Sequence, residues 1–143
     1  MASLPKVCFF FEKKGFTLQR RTQLKQFIEF VFKREKTGLN SVNYIFCSDK
    51  RILEINRQFL QHDYYTDIIT FELSESGPVE AEVYISIDRV RDNAKNLGFS
   101  FKSELHRVIF HGVLHLCGYG DKDPEQEEKM RKMENLYINQ YFR

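Results

Sequence analysis

The chain has 143 residues, 42% of them hydrophobic, which is enough for one domain with one core and excludes an intrinsically disordered chain. A formal net charge of only +2 excludes a surface that is basic throughout, and seven glycines with three prolines argue against a loop-dominated fold. No stretch approaches membrane-spanning length, and the N-terminus lacks a signal-peptide layout. Three widely spaced cysteines without a CxxC pair point to reduced thiols in a soluble, cytoplasmic chain.

In chain order, Lys6–Glu12 is a short apolar run and reads as a strand. Leu24, Phe27, Ile28 and Val31 recur at i, i+3, i+4, i+7, the spacing of an amphipathic helix. Lys33, Arg34 and Lys36 crowd its last turn and Gly38 ends it. Val42–Cys47 returns to a strand; Ser48 or Asp49 then caps a short helix carrying Ile52, Ile55 and Phe59. Asp67–Leu73 and Glu82–Ile87 read as two further strands, separated by a stretch containing Ser-Glu-Ser-Gly-Pro. In the second, Val83, Ile85 and Ile87 alternate with Glu82, Tyr84 and Ser86, a half-buried pattern. Asp88 caps a helix that Gly98 closes, and a strongly apolar helix from about Lys102 to Cys117 stops at Gly118. Asp123-Pro124 opens the last helix, with Gln126 placed as in a capping box. The expected architecture is one α+β domain over residues 1–143, a mixed four-stranded sheet packed by about five helices in the order β-α-β-α-β-β-α-α-α.

The segment His111-Gly-Val-Leu-His115-Leu-Cys-Gly-Tyr-Gly-Asp121 carries the chemistry. Residues four apart on a helix differ by about 40° in direction and roughly 6 Å along the axis, so both imidazoles leave one face and can converge on one ion. Two core histidines on an apolar helix would have the same spacing. What favours a metal is the turn that follows, where Gly118 and Gly120 let the chain fold back and bring an acid to the helix end. Asp123 is placed as an N-cap, which leaves Asp121 as the better third ligand. Three protein ligands leave one position open, the mark of a catalytic rather than a structural zinc site. His106, about 140° around the helix from His111, is expected to be a polar contact or to support a ligand. Cys117 reads as a packing residue and His62 as a surface histidine. The HExxH pattern of zinc peptidases has a glutamate where this chain has Gly112, which counts against a peptidase.

These residues resemble the YbeY family of ribosomal RNA maturation endoribonucleases, whose signature is HGxLHLxGYDH. The chain reads HGVLHLCGYGD, with His111 and His115 on the first two ligands and Asp121 on the third. Ile55-Asn56-Arg57-Gln58-Phe59 resembles the family's LNxxF, Thr66-Asp67-Ile68-Ile69-Thr70-Phe71 its TDVLSF, and Ala81-Glu82-Val83 followed by Ile85-Ser86 its GDIxIS strand. Two positions depart from the family. Asp121 replaces a histidine, and a harder, anionic ligand widens the choice of metal from Zn²⁺ toward Mn²⁺ or Ni²⁺. Leu60 stands where the family tends to have an arginine implicated in activity, with Arg57 the nearby substitute.

The resemblance implies a single-strand-specific endoribonuclease with His111, His115 and Arg57 in catalysis. It implies ribosomal RNA and the small ribosomal subunit as partners, in 16S maturation and ribosome biogenesis. It also bears on the charge distribution. Residues 1–37 hold nine Lys and Arg against three Glu, whereas residues 63–92 hold eight Asp and Glu against two Arg. Composition alone favours a solvated helix surface for the basic third. A nuclease would use it for phosphate, through Lys13, Lys14, Arg20, Arg21 and Lys25. Two alternatives remain open at this level: a non-catalytic ribosome-assembly factor with a structural metal, favoured by Leu60, and a metal hydrolase of another class.

Overall fold

The structure is a computed structural model that describes residues 5–61 and 66–143. His62 lies outside the described residues. The elements follow the expected order: β1 (Val7–Phe11), α1 (Arg21–Arg34), β2 (Leu39–Cys47), α2 (Asp49–Ile55), β3 (Ile68–Glu72), β4 (Val79–Ser86), α3 (Ile87–Leu97), α4 (Phe101–Leu116) and α5 (Pro124–Tyr141). The sheet order is β1-β2-β4-β3. β1, β2 and β4 are mutually parallel and β3 runs antiparallel to β4, pairing Ile68 with Ile85 and Thr70 with Val83. The sheet is therefore mixed, as expected. No helix among the described residues is long and apolar enough to cross a membrane.

The period-two pattern divides the sheet residues between two cores. Val42, Tyr44 and Phe46 of β2 and Ala81, Val83 and Ile85 of β4 face the large core, shared with α1, α4 and α5 through Leu24, Ile28, Ile109, Val113 and Tyr137. On the other face, Ile69, with Phe71 and Tyr84 beside it, packs with Ile52 and Ile55 of α2 into a smaller cluster. The single buried hydroxyl on β2, that of Tyr44, donates to the carbonyl of Ile109 at 3.3 Å, which ties α4 to the centre of the sheet.

Three local expectations are corrected. α1 ends at Arg34 rather than running to Gly38, because Lys36 takes a left-handed conformation (φ 57°) that stops it. The short helix does not carry Phe59: α2 ends at Ile55 and the chain widens into a π-helical turn, Asn56–Leu60, on which Phe59 is 60% exposed. α3 is capped by Ser86, whose Oγ accepts from the amide of Arg89 at 3.1 Å, and not by Asp88. Asp88 serves a different helix, accepting the amide of Asp49 at 2.9 Å in the first turn of α2. That hydrogen bond, with Lys13 at 3.1 Å, holds its carboxyl below the usual carboxylate range. At α2 the choice falls to Ser48, which accepts from the amide of Arg51.

Gly112 has a steric reason to be glycine. A Cβ there would lie 3.0 Å from Ile68 Cδ1 and 3.4 Å from Val83 Cγ1, so this position of α4 is pressed against the β3–β4 pair. Alanine gains about 1 kcal/mol of helix propensity that offsets the tight contact. Valine overpacks the interface. Gly112→Val is expected to destabilise the fold by about 1–3 kcal/mol, measured as a lower urea midpoint at unchanged m-value. A valine variant as stable as the wild type would mean that α4 stands off the sheet. Because position 112 faces the sheet, a glutamate there would be buried beneath α4, which removes the peptidase-type base on geometric grounds.

Candidate metal centre

α4 starts with Ser100 accepting the amide of Ser103. It carries its apolar stripe into the core, and His111 and His115 fall on its half-buried side. The helix ends in a double hydrogen-bonded reversal. The amide of Gly118 donates to the carbonyl of His115, and the amide of Tyr119 to that of Leu114, both at 3.0 Å. Gly118 sits at φ 101°, a conformation that costs glycine nothing. The reversal sends residues 119–121 back along the helix, so that Asp121 reaches the histidines.

The three ligating groups converge. One oxygen of Asp121, Oδ2, lies 3.3 Å from His115 Nε2 and 3.5 Å from His111 Nε2. One ligand atom from each residue falls within 4.8 Å of the others. Ligands about 2.0–2.2 Å from a tetrahedral Zn²⁺ stand roughly 3.3–3.6 Å from one another, so the two His–Asp separations match such an ion. The side chain of Asp121 is 42% exposed, so the cluster is open to solvent on one side.

The second nitrogen of each histidine is already occupied. His115 Nδ1 donates to the carbonyl of Tyr119 at 2.9 Å, a contact made by the same reversal. His111 Nδ1 donates to Glu134 Oε2 on α5 at 2.7 Å. Both rings are thereby fixed in the tautomer that leaves Nε2 free to ligate, the arrangement metal-binding histidines commonly have. Burial opposes charge on His111, but the hydrogen bond and carboxylate of Glu134, with Asp67 and Asp121 beyond, outweigh it and raise its pKa.

Glu134 was invisible to sequence reasoning. It is 4% exposed, and its other oxygen takes Arg107 at 3.2 Å, with Arg131 at 3.6 Å. Glu104 is buried beside Arg107, its carboxyl raised by burial against the opposing pull of that guanidinium. Asp67 was legible only as part of a motif. It lines clefts of about 540 and 490 Å³ that flank the cluster, both also lined by His111 and Asp121. Burial raises its carboxyl, which His111 partly offsets.

A second support reaches the site from the end of α1. Glu35 accepts from Tyr119 Oη at 2.7 Å and also from Tyr137 Oη. Tyr119 supplies the carbonyl that holds His115, and Tyr137 lies one turn beyond Glu134, which holds His111. Burial, then the hydrogen bond and charge of Glu35, push the Tyr119 hydroxyl up to about 12, so it remains a donor. Glu35→Ala is expected to cost about 1.5–3 kcal/mol for each hydrogen bond to a charged acceptor. Metal affinity should fall by less than the roughly tenfold of a direct support. A thermal melt and a competitive metal titration check this, and unchanged values in both would show that the carboxylate holds nothing in place.

The other sequence-predicted residues lie elsewhere. Asp123 is the N-cap of α5, accepting the amide of Gln126, while the Gln126 side chain takes the amide of Lys122. His106 is a buried polar contact, donating from Nδ1 to the carbonyl of Lys102 at 2.7 Å, and Cys117 packs against the large core. Arg57 is exposed on the π-helical turn. Lys13 pairs with Asp88; Arg21 lies over Phe11 and Lys25 over Phe9. None of Arg57, Lys13, Lys14, Arg20, Arg21 and Lys25 lines either cleft beside the histidines. The basic stretch runs along the β1 edge of the sheet, whereas the histidine cluster faces the β3 edge.

Comparison with known proteins gives a consistent result. The family model described as "Endoribonuclease YbeY" matches residues 11–142. A protein named Endoribonuclease YbeY from Cytophaga hutchinsonii is 48% identical over 134 residues, covering 93% of this chain and 94% of that one. Its namesake from Parabacteroides distasonis is 54% identical over 101 residues, 71% of this chain and 70% of that one. The solution structure of a Thermotoga maritima protein superposes with a TM-score of 0.65 at 29% identity, covering 95% of this chain and 89% of that one. With the signature histidines in place on α4 and the match running through all five helices, this chain belongs to the YbeY family of endoribonucleases and is a nuclease, a hydrolase in reaction type.

Proposed function

We propose that the chain is a metal-dependent, single-strand-specific endoribonuclease of ribosomal RNA. His111, His115 and Asp121 hold one Zn²⁺, with Mn²⁺ or Ni²⁺ as substitutes, and the enzyme acts in the cytoplasm on 16S rRNA during small-subunit biogenesis. The observation that carries the proposal is the convergence of three ligating atoms whose two imidazoles are each pinned from behind, by Glu134 and by the Tyr119 carbonyl. A metal ion at such a site polarises a phosphoryl oxygen and lowers the pKa of water. The chain's own residues do the rest. Glu134 and Tyr119 keep both Nε2 atoms aimed at one point, and clefts of about 540 and 490 Å³ open beside it. Asp67 and Glu134 add negative charge near His111, favouring a cation there.

The test is cleavage of a single-stranded 16S rRNA fragment before and after chelation, with elemental metal content measured on wild type and Asp121→Ala. One ion per chain, lost in the variant, with cleavage abolished by EDTA and restored by Zn²⁺, is the expected result. Cleavage undiminished in chelator would sink the metal mechanism. The competing assembly-factor reading draws on Leu60, an exposed apolar residue at the family's arginine position. It requires instead that EDTA melt the fold and that no metal-loaded sample cut RNA.

A further inference from the structure

About 140° around α4 from His111, the ring of His106 borders a third cavity, of about 430 Å³. This is within the roughly 300–1,000 Å³ range of small-ligand sites. It lies where the turn before α1, the first turn of α4 and the end of α5 meet. Three cations line it, Arg20, Lys102 and Arg143, and no Asp or Glu side chain does. Its walls are aromatic, with Phe16, Phe101 and Tyr141 among them.

Two features of this cavity bear on what it could hold. First, the amides of the first turn of α1 receive no side-chain cap and the turn holds no acid. Arg20, at its N-cap, occupies a left-handed conformation (φ 54°) that a non-glycine residue adopts only at a cost. Arg20 and Gln23, which bracket that turn, both line the cavity. Such a helix end favours an anion. Second, His106 is 6% exposed and donates through Nδ1 to a carbonyl. Burial lowers its pKa, so the ring is neutral and Nε2 presents a lone pair. No hydrogen bond to that nitrogen is found among the described residues, and it is not one of their fully buried unpaired atoms, so it is accessible from the cavity side.

Cations and uncapped amides suit a phosphate, flat aromatic walls suit a base, and an accessible imidazole lone pair suits an amino or hydroxyl donor. We propose that this cavity binds one nucleotide unit. Its phosphate sits on Lys102, Arg20 and the first turn of α1, its base lies against the aromatic wall, and His106 Nε2 accepts from the base or ribose. The choice of a nucleotide over another aromatic anion rests on the family's RNA chemistry and not on the metal mechanism. The unit is either part of the substrate strand or a free nucleotide.

The test uses the full chain in an NMR titration with AMP, with inorganic phosphate as control. It is repeated with a single-stranded, 2′-O-methylated RNA that cannot be cut. Saturable AMP shifts at His106 and Lys102 are expected, with phosphate binding more weakly. Lys102→Glu, on an exposed position that leaves the core intact, should weaken AMP by about tenfold or more, the loss of one charged hydrogen bond. His106→Phe, which keeps the ring packing, should weaken it less. If Lys102→Glu weakens the RNA as well, the site holds a nucleotide of the strand; if it weakens AMP alone, the site serves a free nucleotide. Shifts that do not saturate, AMP affinity unchanged by Lys102→Glu, or AMP no tighter than phosphate would each overturn the proposal. No arm requires cleavage, so failure of the metal mechanism would be seen separately.

Discussion

His115→Ala is expected to abolish RNA cleavage and bound metal together while leaving the domain folded. Zinc sites with four protein ligands bind with about 10–16 kcal/mol, or roughly 3 kcal/mol per ligand, so removing one of only three ligands should cost about a hundredfold or more in affinity. The price in stability is small, because the side chain is partly exposed and makes one hydrogen bond to protein outside the cluster, about 1 kcal/mol. The measurements are elemental analysis, a thermal melt and a single-stranded RNA cleavage assay on the same preparation. A metal-free His115→Ala protein with wild-type activity would refute the site. Metal loading should also weaken as pH falls through the raised pKa of His111, since the proton and the ion compete for Nε2.

Glu134→Ala is the second large effect, and it differs in kind. The carboxylate is buried and holds three partners: His111 at 2.7 Å, Arg107 at 3.2 Å and Arg131 at 3.6 Å. Removing one member of a buried ion pair leaves charge uncompensated, so a loss of about 3–5 kcal/mol is expected at Arg107, whose remaining carboxylate, Glu104, lies 3.7 Å away. Metal affinity should fall about 10–100-fold, because His111 loses the acceptor that sets its tautomer and orientation. Glu134→Gln separates the two effects. It keeps the shape and an acceptor oxygen but removes the charge, so the pKa of His111 should drop while much of its orientation survives. A urea titration, a competitive metal titration and an NMR pH titration of His111 read these out. If the alanine variant binds metal as tightly as wild type, Glu134 is a stability element alone.

Much of the fold was legible because its signals are local. The i, i+3, i+4, i+7 stripe of α1, the alternation along β4, the Gly98 and Gly118 stops and the Asp123-Pro124 start each depend on a few neighbouring residues, and each is found in the structure. The local errors have local causes too. Ser86 and Asp88 are both good caps, and the structure uses both, because the parallel ends of β2 and β4 bring the first turn of α2 within reach of Asp88. Phe59 was placed on the short helix after Ser48, which instead stops at Ile55 and gives way to a π-helical turn.

By itself the sequence determined the core of the candidate metal centre. Four-residue spacing on a helix and a six-residue return through Gly118 bring His111, His115 and Asp121 together, because all three lie within a helix end and one turn. What holds those ligands was decided by tertiary structure alone. Glu134 is 23 residues from His111, and Glu35 is 84 residues from Tyr119. Their meeting depends on how α5 and the end of α1 pack against α4, and no periodicity or motif encodes that separation. The basic first third teaches the same lesson in reverse: a charge count is additive along the chain, but where the charges act depends on the tertiary structure, which sets Arg21 and Lys25 over Phe11 and Phe9 of β1, at the opposite edge of the sheet from the strand beside the histidines.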